Sequence, residues 1–229
     1  MTVRNIGNCG VSKIAREHLG LRQVADLGLW VLDNSIDSCK YKTKACKKCY
    51  NLKCLIYKGF RAAWVAGGKD SRAWQGATSE AFDGLRRVRL CTRGEAFEDV
   101  TQVDRVARWI ADNPNTKYWI PTRAWRNSSM REYLEKKIMP LKNARLQASL
   151  DRYTIQHYES LKASGWSTMY FDHENLDPNF DNAVKCRKTW DKLINPKTGR
   201  AIGRKAVCQR CRNGCFSDTR VDIWLKYHK

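Results

Sequence analysis

Apolar positions change their spacing along this chain, and each spacing points to an element. Residues 27–33, LGLWVLD, form a short apolar run of the kind a buried strand shows. Residues 86–92, RRVRLCT, alternate polar and apolar as a half-buried strand does, and a helix is expected over about 51–66. In TQVDRVARWIADNP, Val103, Val106, Ala107 and Ile110 recur at helical spacing, and Pro114 marks the stop. TKYWIPTRAW (116–125) reads as a strand. SSMREYLEKKIMP (128–140) reads as a helix, opened by Ser128 or Ser129, with Glu132 in capping-box position to the latter. ARLQASLD (144–151) is a strand, TIQHYESLKASG (154–165) a helix closed by Gly165, WSTMYFD (166–172) a strand, and VDIWLKYH (221–228) a last short strand.

Strands alternating with helices of this length predict an α/β fold, a parallel sheet with helices packed outside, open or curled toward a barrel. Functional groups in such sheets gather at the carboxyl ends of the strands. That rule brings residues 39–54, the Arg93-Gly94-Glu95 turn, Thr122, Arg123, Asp151 and Asp172 to one rim. The pattern divides the chain into an N-terminal segment (1–26), an α/β core with a cysteine loop (27–175), and a cysteine-rich basic extension (176–229).

Composition adds two anomalies. The 229 residues are 42% hydrophobic and 29% charged, an ordinary folded composition, yet 43 Lys and Arg against 23 Asp and Glu give a net charge of +20, and there are 10 cysteines. No run of about 18 uncharged apolar residues occurs and MTVRNIGNCG lacks an apolar signal core, so neither membrane insertion nor secretion is expected, and a cytoplasmic location is. In a chain of this kind cysteines point to metal before disulfides.

Eight cysteines form two groups. Cys39, Cys46, Cys49 and Cys54 are spaced C-x6-C-x2-C-x4-C; Cys186, Cys208, Cys211 and Cys215 are spaced C-x21-C-x2-C-x3-C. The charge lies with them: residues 40–62 hold eight Lys or Arg and no acid, and residues 185–212 hold ten and only Asp191. Four thiolates around zinc or an iron-sulfur core carry about two net negative charges, which neighbouring cations offset. The positive surplus exceeds that and points to a polyanionic partner, nucleic acid first. Thiolates select zinc or iron-sulfur clusters over hard cations. The irregular spacings suit a cluster, while the pairs Cys46/Cys49 and Cys208/Cys211 also suit one shared zinc site. Cys54 reads either as a fourth ligand or as a buried thiol.

Trp119, Arg123, Trp125 and Arg126 interleave aromatic and basic groups, as base-stacking surfaces do, with core packing for Trp119 and solvent for Arg126 as the plain alternative. His18, His157, His173 and His228 show no ligand spacing, and Asp172-His173-Glu174 reads as a turn or cap before it reads as an acid-base group.

A first-strand cysteine loop containing Cys49-Tyr50, then a helix, then a second strand leading to Gly94-Glu95, resembles the radical SAM barrel. In that superfamily three cysteines hold a [4Fe-4S] cluster, its open iron binds S-adenosylmethionine, and a Gly-Gly-Glu motif contacts the amino group of that cofactor. The resemblance implies cluster ligation by Cys39, Cys46 and Cys49 and cofactor contacts from Gly94 and Glu95. Here the loop is C-x6-C-x2-C, Arg93 stands for the first Gly and Ala96 for the usual Pro. Over about residues 27–229 the chain also resembles a phage-encoded family of radical-SAM-like proteins. The shared marks are the Cys-Tyr loop, Arg89 with Gly94-Glu95, the Thr122-Arg123 strand end, Ser149-Leu150-Asp151 and the terminal C-x2-C. This implies a radical-SAM-like partial barrel with a small cysteine-rich extension, working in the cytoplasm of an infected host cell. It implies one or two clusters, the second on Cys186, Cys208, Cys211 and Cys215. Two roles stay open, an enzyme that uses S-adenosylmethionine and a binding module, and a zinc-stabilised, non-catalytic nucleic-acid-binding or host-interacting protein stands beside them.

Overall fold

The computed structural model describes residues 21–24, 29–34, 36–48, 74–92, 94–172, 183–186, 215–216 and 221–226. The helix expected over 51–66 lies outside them. The strands are β1 (Leu21–Val24), β2 (Leu29–Leu32), β3 (Arg87–Leu90), β4 (Lys117–Thr122), β5 (Ala144–Leu150), β6 (Ser167–Asp172), β7 (Val184–Lys185) and β8 (Ile223–Lys226). The helices are α1 (Val100–Asp112), α2 (Ser128–Lys137) and α3 (Tyr158–Ala163). One eight-stranded sheet runs in the order β1-β2-β3-β4-β5-β6-β8-β7, antiparallel only at β1-β2, so seven strands are parallel. Among the described residues no pairing joins β7 to β1, and the sheet is open.

Strand alternation sorts side chains onto two faces. Val88, Leu90, Tyr118, Ile120, Leu146, Ala148, Leu150, Tyr170 and Trp224 meet Val103, Val106, Trp109 and Ile110 of α1 and Met130 and Leu134 of α2 in one core. Rings dominate it: Trp109 lies 5.4 Å from Trp74, edge to face, and 5.1 Å from Phe82. Within it the Trp74 indole N–H donates to Gln102 Oε1 at 2.8 Å. The opposite face carries Arg87, Arg89, Trp119, Arg145 and Gln147, alternating with the first set, and a second small apolar group of Leu29, Val31 and Phe216. Among the described residues no helix is long and apolar enough to cross a membrane.

Helix ends follow local chemistry. The Asp99 carboxylate accepts from the Gln102 N–H at 3.0 Å and opens α1. At α2 the cap is Asn127, not a serine: its side chain accepts from the Met130 N–H at 3.0 Å. The short turn Ala124–Arg126 ends there, which brings the chain into the helix one residue before the serines. Asn127→Ala is expected to cost about 1 kcal/mol, read as a shift of the urea midpoint with the slope unchanged. Past α3, Gly165 takes φ 80° while its N–H reaches Lys162 O, closing the helix in the left-handed turn that glycine favours.

Strand β8 is wedged between β6 and β7 by Asp222. Its Oδ1 accepts from the Thr168 N–H at 2.8 Å and Thr168 Oγ1 at 3.0 Å; its Oδ2 accepts from Tyr158 Oη at 2.8 Å and pairs with Lys162 at 2.9 Å.

Candidate functional site

The parallel strands all end at one rim, and their last residues hold each other. Cys91, directly after β3, has φ 57°, a left-handed conformation uncommon away from glycine, and donates its N–H to Leu32 O at 2.8 Å. Thr92 then donates from N–H and Oγ1 to Asp33 Oδ1 at 2.6 and 2.7 Å, tying β3 to β2. Gly94 has φ 74°, and this positive φ turns Glu95 back under the sheet edge.

Glu95 is 6% exposed and knits three strand ends together. Its Oε1 accepts from Thr122 Oγ1 at 2.7 Å, the Ala96 N–H at 2.8 Å and the Phe97 N–H at 3.3 Å; its Oε2 accepts from the Arg123 N–H at 2.9 Å. Its own N–H donates to Ser38 Oγ at 2.6 Å, and its carbonyl accepts from Asn34 Nδ2 at 3.0 Å and Ser38 Oγ at 3.2 Å. Burial raises the Glu95 carboxyl above its usual range, and the hydrogen bonds from Thr122, Arg123, Phe97 and Ala96 offset this only in part.

The cysteine loop is pinned to this rim from the next strands. Fully buried Asp151, at the end of β5, accepts from Arg123 Nη1 at 2.7 Å and Thr43 Oγ1 at 2.5 Å on Oδ2, and from the Tyr153 N–H at 2.9 Å on Oδ1. Arg123 Nη1 also donates to Thr43 Oγ1 at 3.0 Å. Arg126 Nη1 donates to the carbonyls of Tyr41 and Lys42 at 2.9 and 3.0 Å. Thr43 in turn donates its N–H to Cys46 Sγ at 3.4 Å.

Comparison with known protein families, with curated proteins and with solved structures finds no match.

Cys39 and Cys46 are half-buried on the rim loop, and Gly94 and Glu95 lie on the same rim. Cys49 and Cys54 lie outside the described residues, as do Cys208 and Cys211. Cys186 follows β7 and donates its N–H to Trp224 O at 2.8 Å; Cys215 precedes Phe216, whose ring meets Trp119 at 5.8 Å, edge to face. Among the described residues no three His, Cys, Asp or Glu side chains converge on a metal position. Cys91, solitary in sequence, sits at this rim fully buried. Burial, with the fields of Asp33 and Glu95, pushes its thiol well above the usual range.

The rim positions of Thr122, Arg123 and Asp151 follow from the strand-end rule. Thr43, Ser38 and Asn34 lie outside the strand-end rule; the run of hydroxyl and amide residues around Cys39 is the only sequence signal for them. Trp119 and Trp125 are buried, at 7% and 4% exposure, so neither offers a face for base stacking.

The two buried carboxylates give opposite pH dependences. Burial opposes ionisation of Asp151, but the Arg123 charge and the bonds from Thr43, Arg123 and Tyr153 outweigh it and hold its carboxyl below the usual range. Its stabilisation is complete above the unfolded value, about 3.9, and is lost as pH falls through the lower folded value. The raised Glu95 favours the folded state below about 4.3 and loses that contribution as pH climbs toward its folded value. Urea titrations should therefore show Asp151→Asn with a shallower fall of stability below about pH 4, and Glu95→Gln with a smaller loss above it.

Proposed function

We propose that this chain is an iron-sulfur protein on a radical-SAM-like sheet, with a [4Fe-4S] cluster held by Cys39, Cys46 and Cys49, and with a basic surface that takes nucleic acid or another polyanion. The observation that carries this reading is the attachment of the cysteine loop to the carboxyl rim through Thr43, Asp151 and Arg123. Thiol donors suit soft metals, and Cys39 and Cys46 stand half-buried on the same rim loop, so the residues present fit the group. When bound, such a cluster supplies one-electron chemistry, and an iron left open by the protein can take S-adenosylmethionine.

The chain's own residues hold the loop against the sheet, and Gly94 gives Glu95 its turn. Both Glu95 carboxylate oxygens accept from the protein itself, so Glu95 serves the rim's architecture. A contact with a cofactor's amino group would need one of these bonds to be exchanged. Exposed lysines at 40, 42 and 44 give the loop a positive field beside Cys39 and Cys46.

Anaerobically purified protein should be brown, with iron and acid-labile sulfide in equal amounts, and Cys46→Ser should lose both. Colourless protein carrying zinc would overturn the cluster and favour the non-catalytic reading. S-Adenosylmethionine should perturb the paramagnetic signal of the reduced protein; an unperturbed signal from an intact cluster would remove the enzyme and leave the binding module. Nucleic-acid binding should weaken steeply with salt, and its absence or salt independence would exclude that partner.

A further inference from the structure

Three stretches of the carboxyl rim join in a closed circuit of contacts. Arg126 Nη1 donates to the carbonyls of Tyr41 and Lys42. Thr43, the next residue, bonds one oxygen of the Asp151 carboxylate, and the other oxygen accepts from the Tyr153 N–H. Gln156 Nε2 donates to Tyr153 O at 3.2 Å, and the neighbouring His157 ring meets the Trp125 ring at 5.5 Å, edge to face. Trp125 is fixed by its indole N–H on Ser149 O at 3.3 Å, and it leads back to Arg126.

Charge and ring faces coincide on this circuit. In residues 40–46, 123–127 and 151–158 the only acid is Asp151, which is fully buried against Arg123. Lys40 pairs with Glu98 at 3.8 Å. Lys42 and Lys44 are exposed and make no ion pair among the described residues, and exposed Arg126 donates to neutral carbonyls, which leave its charge in place. Beside these cations Tyr153 is 45% exposed; with Val100 it is one of two large hydrophobic side chains so open among the described residues. His157 is exposed as well. Both rings stand on backbone or ring contacts already made, so a ligand need not order them. Cations with exposed rings between them match a strand whose phosphates and base faces are both accessible, and a duplex keeps its base faces inside the stack.

We propose that the carboxyl rim binds single-stranded nucleic acid, its phosphates on Lys42, Lys44 and Arg126 and its bases stacked on Tyr153 and His157. This rests on the reading of the chain as a polyanion-binding protein, and it does not depend on what the cysteines hold.

The experiment uses the full chain and three variants, Tyr153→Ala, Tyr153→Phe and Lys42→Ala/Lys44→Ala. The replaced side chains are exposed, and Tyr153 and Lys42 hold the circuit through main-chain atoms, so circular dichroism should be unchanged. A labelled oligodeoxythymidine of about 15 nucleotides and a duplex of the same length are titrated by fluorescence anisotropy over a salt series. The single strand should bind more tightly than the duplex. Tyr153→Ala should weaken it about tenfold with the salt slope unchanged, while Tyr153→Phe keeps the affinity. The double lysine variant should lower the salt slope by about 1.4, at roughly 0.7 per lost phosphate contact. Binding that is unaltered in Tyr153→Ala overturns the proposal, whatever the lysine variant does, and leaves a polyanion partner standing elsewhere on the surface. Absence of binding to either probe at low salt overturns the proposal together with the nucleic-acid reading on which it rests.

Discussion

Replacing Asp151 with alanine is expected to destabilise the protein by about 3 kcal/mol, and replacing Arg123 by about 4 to 5 kcal/mol. The order follows from burial. Without Asp151 the Arg123 guanidinium, 17% exposed, can turn toward water; without Arg123 a fully buried carboxylate is left with neutral donors alone. Asp151→Asn should fall between these and the wild type, because the bonds on Oδ1 from Tyr153 and Thr154 outlast the charge. The double replacement by leucine at 151 and methionine at 123 should cost less than the sum of the single truncations, since no orphaned charge remains. Urea unfolding measures all of these, and limited proteolysis across 36–48 reads the loop directly. A truncation at 151 that costs under about 1 kcal/mol would mean that the ion pair does not hold the rim.

Glu95→Ala should cost about 3 kcal/mol or more, and Glu95→Gln about half of that. Alanine leaves four donors without an acceptor, those of Thr122, Ala96, Phe97 and Arg123, at roughly 1 to 3 kcal/mol each before relaxation. Removing a carboxylate that burial already disfavours offsets part of this. Glutamine keeps the oxygen that serves three donors and sets an amide N–H₂ against only the Arg123 N–H. Equal losses in the two variants would assign the effect to the charge of Glu95, not to its geometry as an acceptor. The comparison is made by denaturant unfolding at a pH above both carboxyl values.

The parts of the fold that the sequence made readable are those with enough periodic repeats. Helix α1 shows three turns of apolar spacing, and the strand 144–151 alternates over its whole length, so both fall where their patterns put them. Strands β1 and β7 have four and two residues, too few to show a period, and they are strands because a neighbour pairs with them. The position of β8 between β6 and β7 is a matter of tertiary pairing and of Asp222, which no local spacing carries. At the rim, the strand-end rule reaches Thr122, Arg123 and Asp151. It does not reach Cys91, placed by a left-handed backbone turn, or Arg126, whose bonds run to the main-chain carbonyls of Tyr41 and Lys42, which any residues could supply. Arg87, Lys117, Lys142 and Arg145 are scattered along the sequence, and only the parallel register brings them to one edge of the sheet.

The wedging of β8 between two strands that precede it also sets an order in time. As the chain leaves the ribosome, β1 to β6 can pair, but β7 has no parallel neighbour until Ile223–Lys226 has been made. Cys186, whose amide is held by Trp224, therefore takes its place at the sheet only after Cys208, Cys211 and Cys215 have all been synthesised. Completion of the sheet thus comes after every cysteine of the chain has been made.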